Sequence, residues 1–398
     1  MSNRWAPQAK PPTYLKVFPG KFLRSTRDVR EMEVARDVGF DTVLLARDDS
    51  DSGDRTKPWR WELETTRPLR RSGVSFPLAV ERSVSVFTWA LRTRRLDPDI
   101  ISGHNLTGLL IAHLSQALRP RRRRAVIVYD AHEYISVQHS LLRNALTRWL
   151  EGVLMRRTAL SIVVSDSIAD AVRSKHRLAR RPLVLRSIPD LAAPSESETA
   201  ANREALLRQV GDPSVEFLLM YHGALLPHRG IEASMRVLVG RPKLGLVVLG
   251  YALSENYLAA LKRLARSLGV HDRVLFLPDV PLEALAAFTG AVDLGMVVVE
   301  PIHDSYRFML PNKFFENVQS LPPMVVSDFP DVGALVREYT LGIAVDPLDD
   351  DAIGEAVDQV LSDSELRAEL GRGLRRAKEQ LSWDQEKRRL ERPLRGLK

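Results

Sequence analysis

The sequence predicts an α/β protein built from two doubly wound, mostly parallel sheets, and three observations carry that expectation. Short β-branched or apolar runs alternate with helical patterns along most of the chain, the rhythm of β-α-β units. Several runs are apolar on nearly every residue, such as Leu294-Gly295-Met296-Val297-Val298-Val299. That is the habit of strands buried on both faces in a helix-covered parallel sheet. The alternation breaks once, near the middle, so the 398 residues divide into two halves, each long enough to bury a core of its own.

In the first half, residues 14–18, 42–46, 100–101, 125–129 and 160–164 read as strands. Helical patterns fall at 26–38, 107–118 and 141–155 between them, and this N-terminal Rossmann-like domain is expected to span residues 1–190. Residues 191–212 are rich in Ala, Ser, Glu and Thr and carry no strand pattern, so they are read as the linker. The second alternation, expected as a domain over 213–380, places strands at 217–221, 246–249, 274–277, 294–299, 324–327 and 343–345. Tyr257, Leu258, Leu261, Leu264, Ala265 and Leu268 form an amphipathic stripe that stops at Gly269. Residues 381–398 read as a closing helix that begins at Ser382-Trp383-Asp384.

Composition narrows the function. With 44% hydrophobic and 27% charged residues the chain is not disordered, and with no cysteine it has neither disulfides nor a Cys-ligated metal. The net charge of +8 favours anionic partners, although the Arg residues are dispersed and not interleaved with aromatics as on a nucleic-acid platform. The densest cluster, Arg121 to Arg124, reads as a solvated loop. The first residues lack the apolar stretch of a secretory signal and no window has the length of a membrane span, so a cytoplasmic protein is expected. Val86, Phe87, Trp89, Ala90 and Leu91, followed by Arg92, Arg94 and Arg95, read either as a segment for an anionic bilayer or as a core-packed helix end.

In open α/β sheets, ligands bind beyond the carboxyl ends of strands, and three segments with chemistry fall there. The first, Leu310-Pro311-Asn312-Lys313-Phe314-Phe315-Glu316, opens a helix whose amides and Lys313 suit a diphosphate, with Glu316 able to accept from a vicinal diol. The structural alternative leaves Lys313 solvated and Glu316 complementing the helix dipole. The second runs from Tyr221-His222-Gly223 to Arg229-Gly230. Gly223 allows close backbone approach and Arg229 can grip phosphate; a plain turn is the alternative. In the third, Tyr129-Asp130-Ala131-His132-Glu133, His132 sits at a strand end without a second His at metal-ligand spacing. Gly371-Arg372-Gly373 lacks phosphate-loop spacing, and Asp97-Pro98-Asp99 reads as a turn before a strand, so no metal site is expected.

Together these segments resemble glycosyltransferase family four, the retaining nucleotide-sugar transferases of GT-B fold, in which two Rossmann-like domains face a central cleft. The resemblance covers nearly the whole chain and includes Val248-Leu249-Gly250, Val274 to Val280, and Pro323 to Asp328. It implies transfer of a sugar from a nucleoside diphosphate sugar to an acceptor hydroxyl, in bacterial glycan, envelope polysaccharide or glycoconjugate biosynthesis. It also implies no cofactor and no metal. Arg229 and Lys313 would hold the diphosphate, Glu316 the ribose, and backbone around Pro278 and Val280 the base. Gly223 and Gly250 would let the nucleotide lie close, with backbone around Leu310, Pro311 and Asn312 on the sugar. His132 would reach the transferred sugar, and the acceptor would sit near Gly20 and Lys21 on the first half.

Three departures stand out. Phe308 occupies the place of a glutamate that many members aim at the donor sugar, Ala224 replaces a basic residue in the phosphate loop, and Pro278 replaces a glycine. Two rival functions are an epimerase of the same fold and a basic protein that binds a membrane surface or nucleic acid. The expected partners are a nucleotide sugar, a carbohydrate, lipid-linked or small-molecule acceptor, and an anionic membrane surface that the protein would meet peripherally on the inner face of the cell membrane.

Overall fold

The computed structural model describes residues 10–19, 26–47, 60–64, 78–134, 141–192 and 194–398. The chain forms two compact units, Met1–Arg186 with Lys387–Lys398, and Ser187–Glu386.

The first unit contains β1 (Thr13–Phe18), α1 (Thr26–Asp37), β2 (Asp41–Arg47), β3 (Arg60–Glu64), α2 (Leu78–Arg95), β4 (Ile100–His104), α3 (Asn105–Ala117), β5 (Val126–Asp130), α4 (Leu141–Met155), β6 (Leu160–Val163), α5 (Asp166–His176) and β7 (Leu183–Val184). Its seven strands are ordered β3-β2-β1-β4-β5-β6-β7, with every pairing parallel. Strand order reverses between β1 and β4, which opens a crevice beyond their carboxyl ends. Two glycines bring α3 down onto that point. A Cβ on Gly103 would lie 2.5 Å from the carbonyl carbon of Gly108, and one on Gly108 would lie 2.9 Å from the Val17 carbonyl oxygen. The chain therefore turns from β4 into α3 within contact distance of its own backbone, through His104 and then Asn105 at φ 51°.

The second unit contains α6 (Glu196–Gln209), β8 (Phe217–His222), α7 (Ile231–Val237), β9 (Leu244–Leu249), α8 (Glu255–Ser267), β10 (Val274–Leu277), α9 (Leu282–Thr289), β11 (Leu294–Val297), α10 (Asp304–Arg307), α11 (Asn312–Ser320), β12 (Met324–Ser327), α12 (Pro330–Tyr339), β13 (Gly342–Val345), α13 (Asp350–Ser362) and α14 (Ser364–Gln380). The last helix, α15 (Trp383–Arg395), begins in this unit and from Lys387 belongs to the first. The six strands are ordered β10-β9-β8-β11-β12-β13, all parallel, with the reversal between β8 and β11. Leu219, Leu246, Leu294, Val325, Val357 and Val360 are among its fully buried core residues, which accounts for runs apolar on every position.

The structure corrects one expectation about organisation. Residues 191–212 are no bare linker, because they hold α6, which packs against α9 within the second unit. Ser195 and Glu198 form a capping box at its start, and Leu206 is its one fully buried side chain. An almost stripe-free helix leaves no periodic signal. In α2, Trp89 and Ala90 are buried and serve the core, whereas Phe87 is 50% exposed. The edge strands β3 and β7 carry no pattern in the sequence reading: one is the charged run RWELE and the other only two residues long. No helix among the described residues is long and apolar enough to cross a membrane.

Candidate functional site

In the second unit, the ends of β8, β9 and β11 gather one set of residues. Gly223 follows β8 at φ 111° and Gly250 follows β9 at φ 158°. A Cβ on Gly250 would lie 1.9 Å from the Gly223 carbonyl oxygen. The two loops therefore touch through backbone, and no side chain fits between them. After Gly223 the chain passes Arg229 and reaches Gly230, where a Cβ would meet the Val298 carbonyl oxygen at 1.8 Å. That contact holds Arg229 beside the exit of β11.

Lys313 lies in the first turn of α11, which Pro311 opens without any side-chain cap. It is not solvated: it is 8% exposed, its Nζ lies 3.6 Å from the Tyr221 ring centroid, and the Nζ has no hydrogen-bond partner among the described residues. Burial first, and then the Arg229 charge, push its pKa down to about 7, against the opposing pull of Glu316. Arg229 stacks on Tyr306 with Cζ 4.6 Å from the ring centroid, and its Nε is buried without a partner. Glu316 lies just past the first turn of α11, and its Oε2 is 2.9 Å from Nε2 of His222, the buried last residue of β8. Two cations that form no ion pair among the described residues, beside a carboxylate held from behind, make a site for an anion that also carries hydroxyls.

Of the other predicted donor residues, Leu310 is buried, Asn312 is exposed at the head of α11, and Pro278 and Val280 lie in the loop past β10, Pro278 exposed and Val280 half-buried. Phe308 ends the short helix α10.

The first unit gathers a second set at the ends of β1, β4 and β5, and most of it escaped the sequence reading. Lys16, fully buried in the middle of β1, lies 2.8 Å from Asp28 and 2.9 Å from Asp130, and also pairs with Glu31. Arg27 pairs with the other oxygen of Asp130. Burial opposes the Lys16 charge, yet Asp130, Asp28 and Glu31 outweigh it and hold the ammonium's pKa up. Asp28 and Asp130 are held well below the carboxylate range: Lys16 acts on the first and Arg27 on the second, each against burial. Burial pushes Glu31 up, while Tyr14 and Ser102 donate to it.

His132 sits over this network, with Nε2 2.8 Å from Asp130 and its backbone N–H donating to Asn105 Oδ1 at 2.9 Å. His104, which burial pushes toward the neutral form, places Nδ1 3.0 Å from Asp28 and Nε2 3.1 Å from the Asn105 amide nitrogen. The contacts assign donors at Nδ1 of His104 and Nε2 of His132. Nδ1 of His132 is then the ring nitrogen left to face a substrate, on a side chain 18% exposed. Gly20 and Lys21, the predicted acceptor residues, lie outside the described residues.

Donor atoms of Asp28, His104, Asp130 and His132 all lie within 4.8 Å of one another, a set that could ligate a divalent ion in kind. Lys16 already sets a full positive charge against both aspartates, and Arg27 sets a second against Asp130. A further double charge would be buried without compensation.

The sequence does contain signals for these residues. Lys16 interrupts an otherwise apolar, wholly buried strand, Asp28 and Glu31 are spaced to share one helix face, and His222 stands between Tyr221 and Gly223.

Two parallel Rossmann-like units with ligand chemistry at both reversal points define a GT-B type α/β protein. The sequence matches the Glycosyltransferase Family 4 profile over residues 33–185 and the Glycosyl transferases group 1 profile over residues 202–377, one on each unit, and the chain belongs to the family 4 glycosyltransferases. It is 29% identical over 198 residues to a D-inositol 3-phosphate glycosyltransferase of Xylanimonas cellulosilytica, covering 49% of this chain and 46% of the relative. It is 25% identical to an alpha-D-kanosaminyltransferase of Streptomyces kanamyceticus, covering 61% of this chain and 62% of the relative. The match thus spans less than two thirds of these relatives' own length. Anabaena HepE, crystallised with UDP, shares the fold at TM-score 0.71 and 16% identity over 93% of this chain and 95% of its own. Sucrose-phosphate synthase from Thermosynechococcus elongatus does so at TM-score 0.74 and 17% identity over 97% and 99%.

Proposed function

We propose that the protein transfers a glycosyl group from a nucleoside diphosphate sugar to an acceptor hydroxyl, with retention at the anomeric carbon and without a metal. The observation that carries this reading is the buried ammonium of Lys313, without a hydrogen-bond partner among the described residues, next to half-buried Arg229 with its unpaired Nε and beside Glu316. A buried ammonium with no counter-ion is unfavourable in the free protein, and a pyrophosphate supplies the missing charge.

On this reading Glu316 accepts from the ribose hydroxyls, the nucleotide lies against Gly223 and Gly250, the base meets the backbone around Pro278 and Val280, and the sugar faces the amides from Leu310 to Asn312. Departure of the sugar builds negative charge on the diphosphate. Lys313, buried, and Arg229, fixed on Tyr306, are already in place and stabilise that charge more than they stabilise the ground state. The departing phosphate takes the acceptor's proton. His132 offers Nδ1 to a hydroxyl, with its ring fixed by Asp130. The first unit binds the acceptor around Gly20 and Lys21, and the acceptor is a carbohydrate, lipid-linked or small molecule of bacterial glycan or glycoconjugate synthesis.

Calorimetry with UDP, GDP and dTDP and their sugars tests the donor site. One of them is expected to bind the wild type and to lose binding in Lys313→Ala and Glu316→Ala proteins that still fold. Binding that survives both substitutions overturns the assignment. Transfer is expected to persist in a chelator, and its loss there would rule out a metal-free reaction.

A further inference from the structure

The outward face of α4 is apolar in a way the core does not require. Leu146 and Trp149 are each 62% exposed, and Leu150 and Val153, partly exposed, continue the same stripe one turn on. The opposite face is consumed by the fold. Asn144, Leu154 and Met155 are buried, and α4 packs on α3 and α5. Its one acidic residue, Glu151, is turned inward, where it accepts from Tyr129 at 2.8 Å and lies 3.2 Å from His176.

The charges around the stripe have one sign. Arg148 lies on its flank, and Arg156 and Arg157 are exposed just beyond its end. No ion pair joins Arg148 or Arg157 to a carboxylate among the described residues. On the neighbouring α5 the exposed cations are Arg173 and Lys175, while the acidic side chains Asp166 and Asp170 are bound by Arg181. A tryptophan and leucines flanked only by uncompensated cations form the pattern of a helix that lies on a bilayer. A second copy of this chain fits poorly, because self-pairing of the face would bring its arginines together.

We propose that α4 docks the first unit on an anionic lipid surface, with Leu146 and Trp149 inserted among the acyl chains and Arg148, Arg156 and Arg157 at the headgroups.

The test is co-sedimentation of the full chain with phosphatidylcholine vesicles, with and without phosphatidylglycerol, at low salt. The wild type is expected to pellet with the anionic vesicles only. The double variant Leu146→Ser, Trp149→Ser should melt at the wild-type temperature and bind them at least about tenfold more weakly. The proposal is overturned if the wild type stays in the supernatant, if neutral vesicles bind it equally well, or if the double variant binds as tightly as the wild type. Wild-type dimers in sedimentation velocity that the double variant abolishes would also overturn it, by assigning the face to a second copy.

Discussion

Lys16 and Lys313 are both buried lysines, one inside a strand and one at the opening of a helix, and the molecule treats them in opposite ways. Lys16 is surrounded by Asp28, Glu31 and Asp130 and holds its proton more firmly than a free lysine. Lys313 has an aromatic ring and an arginine for neighbours, with Glu316 the one carboxylate acting on it among the described residues, and its pKa falls to about 7. Removal from water is common to both, so the difference lies in compensation. A compensated buried lysine is scaffold, whereas one left uncompensated is poised for an anion.

The largest effect that would break this comparison is on stability in the first unit. Lys16→Met removes the centre of a network and leaves Asp28 and Asp130 facing each other, so a loss of about 3–5 kcal/mol is expected. Denaturant unfolding of the variant measures it, and a wild-type midpoint would mean that the carboxylates do not depend on Lys16. For Lys313→Met the signs reverse. Losing an unsatisfied ammonium is expected to stabilise the free protein by about 1–2 kcal/mol, while transfer falls about 10²–10³-fold. Thermal melts and initial rates on the same preparation check both, and a less stable variant would show that Lys313 has a partner after all.

The same contrast explains which parts of the molecule could be read in advance. The alternation of apolar runs and helices follows from strands buried on both faces, so β1, β2, β5, β8 to β10 and β12 are visible in composition alone. Lys313, Arg229 and Glu316 are visible because a helix opening and a glycine loop need particular residue types at close spacing. The first unit's network has no such economy. Lys16, Asp28, His104 and Asp130 come from four separate stretches of chain; the parallel register of β1 against β4, and of β4 against β5, sets three of them side by side, and the packing of α1 brings Asp28 to them. His222 was hidden for a related reason: its partner Glu316 lies 94 residues away.

A pH series sharpens the comparison at the donor site. In the free protein Lys313 titrates at about 7, so it is charged below that pH and neutral above it. A bound diphosphate favours the charged form and raises the pKa, so binding takes up a proton at high pH. Affinity for a nucleoside diphosphate sugar should be greatest below pH 7 and weaken roughly tenfold per unit above it, for as long as the bound amine stays protonated. Calorimetry in buffers of different ionisation enthalpy would detect the proton directly. Lys313→Arg, which keeps its charge, should flatten the profile, and an equally steep profile in that variant would place the titrating group elsewhere.

The smallest expected effect concerns the one carboxylate near Lys313. Glu316 does not turn toward the cation to neutralise it, because His222, fixed at the end of β8, holds Oε2 at 2.9 Å. A carboxylate anchored from behind presents its other oxygen in one direction, which is useful only if it must meet hydroxyls at a set place. His222→Phe should therefore loosen donor binding by about 0.5–1.5 kcal/mol, a change of roughly two- to tenfold. It should raise the donor KM with kcat nearly unchanged, since ribose contacts hold ground and transition states alike. His222→Gln, whose amide can still donate, should recover part of the loss. A His222→Phe enzyme that lost kcat at unchanged KM would instead connect this histidine with the reacting atoms, and Glu316 would then need a role other than holding the ribose.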